Sequence, residues 1–264
     1  MRKRIHTLSG SALLAITASM LTLSACTVSL DHGGANRVSR QFHRIVPAAG
    51  VQRITIANVS GTIAVRGSNR SDVEINAQIH APDAAALKKI GVNVERNSDT
   101  LRVKTQYPST FLNLGSGVSG SVTYQILVPQ RLAVNATNVD GSVRIAGVAG
   151  DVGAASISGD ISAAANGGSL ALKTTSGAID GSVRTLNRST RVSAASVSGD
   201  VSIGIPKNSG ASVSAHSVSG SFSSNLALPK PNETIGTNLN AMLNGGGAAI
   251  SFSTVSGAMS LTGR

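Results

Sequence analysis

Ser156-Ile157-Ser158-Gly159-Asp160-Ile161 is the stretch on which the reading of this chain turns, because close copies of it recur along the sequence. The frame returns as Asn138-Val139-Asp140-Gly141-Ser142-Val143, Thr174-Thr175-Ser176-Gly177-Ala178-Ile179, Ser196-Val197-Ser198-Gly199-Asp200-Val201 and Ser217-Val218-Ser219-Gly220-Ser221-Phe222. From Gly141 to Gly220 the glycines fall 18, 18, 22 and 21 residues apart, and a repeat near 20 residues is the signature of a solenoid. Outlying copies stand at Asn58-Val59-Ser60-Gly61-Thr62-Ile63 and Thr254-Val255-Ser256-Gly257-Ala258-Met259.

Within one unit, apolar residues alternate before the frame and again after it, with the phase shifted by one. Val152, Ala154 and Ser156 form one alternating set, and Ile157, Gly159 and Ile161 form the next. Alternation with a period of two denotes a strand with one buried face, and a slip of one residue turns that face outward unless the chain bends. The expected bend lies between Ser156 and Ile157, with Ile157 pointing inward and the turn glycine in a crowded corner. The same reading makes Gly61, Gly141, Gly159, Gly177, Gly199, Gly220 and Gly257 structural corner residues. A pair of short strands holds too few aliphatic residues to offset its ordering entropy, so neighbouring units must roof one another. The 29 Gly, four Phe, two Tyr and absence of Trp fit a narrow interior. The fold expected is all-β: a single-chain β-solenoid of 18–22-residue units with one short helix near its N-terminal end. An antiparallel sandwich is the alternative; it accounts for the alternation but not for the recurring phrase.

Domain organisation follows outward from the repeats. Residues 1–25 read as an export leader, 26–45 as a polar tether and 46–264 as the solenoid. Within the solenoid, 46–130 is the irregular part with the helix, and 131–264 is the regular array with an excursion at 223–247. Pro82 and Asp83 signal the helix start, and Lys88, Lys89 and Gly91 its end; the helix is expected to cap an open strand edge. The loops at 107–120 and 223–247 are where specificity would most naturally sit.

At the N-terminus, Arg2, Lys3 and Arg4 precede an apolar run from Ala12 to Leu23 that is too short to span a bilayer. Leu23-Ser24-Ala25-Cys26 then resembles the lipobox of bacterial lipoproteins. That resemblance implies a lipid on Cys26, export, and membrane attachment through the acyl chains. Thr27 in place of Asp points to the outer membrane. Cys26 is the one cysteine of the chain, so no disulfide braces the body.

The chain carries 23 basic and 12 acidic residues, +11 in all. Without the three leader cations, 20 against 12 leaves +8. An exported basic surface suits an anionic envelope polymer or another envelope protein. Nucleic acid is not expected as a partner, because the chain is exported and 2% aromatic residues build no stacking platform.

No catalytic or cofactor motif is legible. Asp160 and Asp200 share a column two units apart, about 10 Å by strand spacing, which is close to the carboxylate separation of an inverting glycosidase. They are the one basis for an alternative reading as a polysaccharide-active enzyme; as turn residues, they would bond their own backbone. His32, His43, His80 and His216 show no ligand spacing, so no metal is expected.

The opening unit around Asn58 to Ile63, the short helix, the strand Tyr124-Gln125-Ile126-Leu127-Val128-Pro129 and the Ser-Val/Ile-Ser-Gly-Asp units together resemble a widespread bacterial family. It is a family of β-strand-repeat domains of unknown function that carries a provisional adhesin label. The likeness runs over about residues 45–264 and implies a β-solenoid body, envelope association and no transferable catalytic residues. Ala178 and Ala258 depart from it where Asp160 and Asp200 stand in sister units.

Overall fold

The computed structural model describes residues 28–30, 38–107, 120–229 and 236–264. The leader, Cys26, His32 and nearly all of the 107–120 loop lie outside the described residues, as do 230–235 of the later excursion.

Two long sheets face each other across the core. The N-terminal part supplies β1 (Val28–Leu30), β2 (Val38–Pro47), β3 (Arg53–Ala57), β4 (Ile63–Ser68), β5 (Asp72–Ala81), α1 (Ala84–Lys89), β6 (Gly91–Asn97), β7 (Thr100–Gln106) and β8 (Ser121–Pro129). The repeats then supply β9 (Ala133–Asp140), β10 (Val143–Val148), β11 (Val152–Ser158), β12 (Ile161–Ala165), β13 (Leu170–Ser176) and β14 (Ile179–Val183). β15 (Arg191–Ser198), β16 (Val201–Ile205), β17 (Ala211–Ser219), β18 (Phe222–Ser224), β19 (Thr237–Leu243), β20 (Ala248–Ser256) and β21 (Met259–Gly263) complete the chain.

Each coil places its first strand in sheet B, turns at the repeat glycine and places its second strand in sheet A. Coils stack in parallel with equivalent residues side by side: Val152 lies between Val134 and Leu170, and Ile161 between Val143 and Ile179. That in-register parallel pairing makes the body a β-solenoid and not an antiparallel sandwich. The interior of the regular coils is filled mostly by two or three apolar residues per strand, among them Val134, Ala136, Ile145, Leu172, Ile203 and Leu261, all buried.

The stacking order departs from chain order at both ends. Sheet B runs β19-β17-β20-β15-β13-β11-β9-β3-β7-β6, and sheet A runs β1-β2-β5-β8-β4-β10-β12-β14-β16-β21-β18. The last coil, β20–β21, therefore slots between β15–β16 and β17–β18, and the first, β3–β4, slots between β7–β8 and β9–β10. Outside these interlocked coils the pairing turns antiparallel. β19 covers β17, β6 covers β7, and β5 and β2 extend sheet A beyond β8. Three of the four sheet margins, β1, β6 and β19, are therefore antiparallel, and the fourth, β18, pairs in parallel with β21.

Three expectations are corrected here. The tether does not reach residue 45, because Val38–Pro47 forms the ten-residue strand β2 paired with β5. Helix α1 starts at the expected place, with Asp83 as N-cap accepting from the Ala86 amide at 2.7 Å. However, α1 caps no strand edge. It carries the chain from β5 in sheet A to β6 in sheet B, with Ala86, Leu87 and Ile90 buried in the core. Thirdly, Ile157 does not point inward: it is 52% exposed, and Val139, Val197, Val218 and Val255 are similarly exposed. Strand pairing continues to Ser158, opposite Ser176, and the phase slip falls at Gly159, whose φ is 142°. The polar residue before the exposed Val or Ile is the last inward one.

Ser162 lies exposed on the outer face of the coil that Gly159 begins. Gly159→Ala is expected to cost about 3 kcal/mol or more, whereas Ser162→Thr should stay within about 0.5 kcal/mol. Urea denaturation of the two variants measures both, and equal costs would contradict the assigned corner.

Candidate functional site

The repeat glycines form one file up the solenoid. A Cβ on Gly141 would come within 2.3 Å of the Gly61 carbonyl oxygen, and one on Gly159 within 2.3 Å of that of Gly141. Gly177 meets Gly159, Gly199 meets Gly177, Gly257 meets Gly199, and Gly220 meets Gly257 in the same way, at 2.1–2.5 Å. Six of the seven have positive φ. The corner backbone bonds from coil to coil, with the Gly159 amide donating to Ser176 O at 2.9 Å and the Ile161 amide to Ala178 O at 2.9 Å.

Inside each corner runs a buried polar column: Asn58, Asn138, Ser156, Thr174, Ser196, Thr254 and Ser217. Asn138, Ser156 and Thr174 reach the corner carbonyls. Asn138 Nδ2 donates to Gly61 O at 2.7 Å and Gly141 O at 2.9 Å. Thr174 Oγ1 donates to Gly159 O at 3.3 Å. Higher in the stack, the hydroxyls of Ser196, Ser217 and Thr254 are buried without a partner. At the N-terminal end, Asn58 joins a network that sequence reasoning missed. Thr105 Oγ1 lies 2.8 Å from Asn58 Oδ1 and 2.6 Å from the hydroxyl of Tyr124. Tyr124 is fully buried, and burial pushes its phenol well above the ordinary value.

The carboxylates do a different job from either one expected of them. Asp160 Oδ1 accepts from the Ala178 amide, and Asp200 Oδ1 from the Ala258 amide, each at 2.8 Å; Asp151 Oδ1 takes the Ser169 amide at 2.8 Å. They bond to the next coil and not to their own turn. Ala178 and Ala258 follow Asp160 and Asp200 in the stack, so the Asp column alternates with Ala and no two of its carboxylates are adjacent. Asp160 and Asp200 remain two coils apart, each tied to a backbone amide. His43 and His80 sit on β2 and β5, and His216 on β17. Among the described residues, no group of three His, Cys, Asp or Glu is placed to hold a metal.

The two outer faces differ. On sheet A, a shallow depression of about 250 Å³ is lined by Gln41, His43, Asn76, Gln78, Thr123 and Gln125. Beside it, Arg70 pairs with Asp72 at 2.6 Å and Glu74 at 3.0 Å, and this contact holds the Glu74 carboxyl below its ordinary range together with the Asn76 amide. Sheet B's outer face carries the exposed Val and Ile residues along the corner margin.

A family model described as Toastrack DUF4097 matches residues 92–262. The chain belongs to the Toastrack DUF4097 family. Its match spans the regular coils and the N-terminal hairpin β6–β7, the part in which glycine corners stack. A crystal structure of a candidate cell adhesion protein from Clostridium sporogenes shares the fold, at TM-score 0.53 and 13% identity over 86% of this chain and 100% of that one. A candidate adhesin from Bacteroides fragilis aligns at TM-score 0.32 and 13% identity, covering 85% of this chain and 97% of that one. A candidate lipid binding protein from Parabacteroides distasonis aligns at 0.31 and 12%, covering 84% and 96%. No curated protein matches the chain.

Two outcomes follow from the Toastrack corner and its buried ends. Asn138→Ala strips donors from two corner carbonyls and should cost about 2 kcal/mol, while Ser196→Ala removes an unpartnered hydroxyl and should be within about 0.5 kcal/mol of neutral; thermal and urea melts compare them. The Tyr124 phenol keeps its proton in the folded chain above the ordinary value of 10.0. The unfolded chain releases that proton there, so stability is full below that pH and falls as pH rises beyond it. Tyr124→Phe should flatten this alkaline loss while costing about 1 kcal/mol at neutral pH. A loss equally steep in both proteins would refute the assignment.

Proposed function

We propose that this chain is a non-catalytic, lipid-anchored protein of the bacterial cell envelope that presents its solenoid as a binding surface. The observation that carries this reading is where the chemistry-bearing side chains are used. The corner polar residues and carboxylates hold coil to coil, and the outward face of sheet B is left with exposed aliphatics and unpaired cations. The lipobox-like Leu23-Ser24-Ala25-Cys26 supports an anchor on Cys26, and Thr27 supports an outer-membrane destination. Among the described residues no helix is long and apolar enough to cross a membrane; in this reading the acyl chains on Cys26 make the attachment. The adhesion label of the Clostridium sporogenes neighbour agrees with a surface role. The +8 charge without the leader favours an anionic envelope partner over a neutral one.

The test is Cys26→Ser in the native host, with membrane fractionation and incorporation of labelled palmitate. The wild-type chain is expected in the outer-membrane pellet carrying label, and the variant in the soluble periplasmic fraction without it. A variant that stays in the pellet excludes the anchor.

A further inference from the structure

Among the described residues seven large apolar side chains are exposed, and six of them lie on the outer face of sheet B: Val139, Ile157, Val197, Val255, Val218 and Met242. The first five stand at equivalent positions of β9, β11, β15, β20 and β17, with Thr175 of β13 filling the gap in the row. They form a straight β-branched ridge about 24 Å long at the ordinary strand spacing. Met242, 72% exposed, stands across the same face at its far margin.

The charges divide unevenly: exposed cations outside the ion pairs are Arg66 and Arg144 on the outer face of sheet A, against five on that of sheet B. All four ion pairs among the described residues belong to sheet A's side: Arg70 with Asp72 and Glu74, His43 with Glu74, and Arg264 with Asp180. Sheet B's outer face carries Arg53, Arg102, Lys104, Lys173 and Arg191, all exposed. The carboxylates close to it include Glu95, directly opposite Arg102 in the β6–β7 register, Asp140 at the end of β9 and Asp151 in the turn before β11. Glu95 lies on the edge strand β6, and Asp151 is engaged by the Ser169 amide. Between the cations the outward residues are small, namely Thr55, Ala57, Asn135, Gly153, Ala155, Ala171, Ser193 and Ala195, so the face is flat.

We propose that the outer face of sheet B docks on an anionic phospholipid bilayer, with the Val/Ile ridge entering the headgroup boundary and the five cations meeting lipid phosphates. Charge complementarity selects the occupant. A neutral protein partner would leave Arg53, Lys104, Lys173 and Arg191 without counter-charges, and a soluble polyanion would leave the ridge in water. A flat bilayer interface answers both needs over one plane, as amphipathic membrane-surface elements do. The inference deepens the envelope reading above by naming the surface that the solenoid meets; it concerns the body and not the lipid on Cys26, so the two stand or fall on different measurements.

The body's core is complete between Ala48 and Leu261, so a chain of residues 26–264 carrying Cys26→Ser keeps the whole packed unit and has no acyl anchor. Its binding is measured by co-sedimentation with phosphatidylcholine vesicles and with mixed phosphatidylcholine–phosphatidylglycerol vesicles. Binding to the mixed vesicles alone is expected. The variant K104Q/K173Q/R191Q should weaken that binding about a hundredfold, and I157S/V197S/V255S about tenfold. R66Q/R144Q, on sheet A, should change it less than about twofold. Circular dichroism melts confirm that each variant is folded. Three results would overturn the proposal: no binding to the mixed vesicles, equal loss from the sheet A variant, or full binding by the ridge variant. The last would mark a plain polyanion surface.

Discussion

One close approach governs this molecule: the carbonyl oxygen of each corner glycine occupies the space that a side chain on the next corner would need. With about 2.3 Å between that oxygen and a hypothetical Cβ, no residue but glycine allows the coils to stack at strand spacing. Much of the remaining design follows from it. The phase slip waits for that glycine, so the small polar residue three places before it stays inside, where Asn138 and Thr174 bond corner carbonyls, and the following residue, in most coils Val or Ile, faces out. The mid-solenoid carboxylates are recruited to the same task on the outer side of the corner, where Asp160 and Asp200 each hold the amide of the coil above.

A uniform stack has two raw ends, and this chain closes both by the same device. At each end a coil is inserted between two others that are nearer each other in the sequence, and antiparallel strands extend both sheets at the N-terminal end and sheet B at the other. The inserted coils make the ends part of the cooperative unit, whereas in a simple solenoid the terminal repeats are the first to fray. The arrangement also sets the two outer faces apart. Sheet A gathers the ion pairs and the amide-lined depression, and sheet B gathers the aliphatic ridge and the larger share of the unpaired cations.

The regular coils were legible in the sequence because alternation and a recurrent glycine are local signals. Strand positions from Val73 to Ile79 and from Val122 to Val128, the helix cap at Asp83 and the solenoid itself could be read directly. The direction of Ile157 could not. Its alternation with Gly159 and Ile161 pointed inward, but strand pairing runs on to Ser158 and the phase slips only at the positive-φ Gly159, so Ser156 keeps the interior and Ile157 faces out. Likewise β2 was hidden in a polar stretch, since Arg40 and Arg44 spend their guanidinium groups on the backbone carbonyls of Ile90 and Val94. No local pattern announces a bond across 50 residues.

What the sequence determined by itself was therefore the unit: two short strands, a glycine corner, a repeat near 20 residues and a chain that must wind upon itself to bury its aliphatics. What only the tertiary structure decided was the order in which the units lie, which residues the corners turn outward, and which face collects the unpaired charge. Those depend on contacts between coils that are distant in the chain, and their energies are set by hydrogen-bond and steric demands that no single repeat contains.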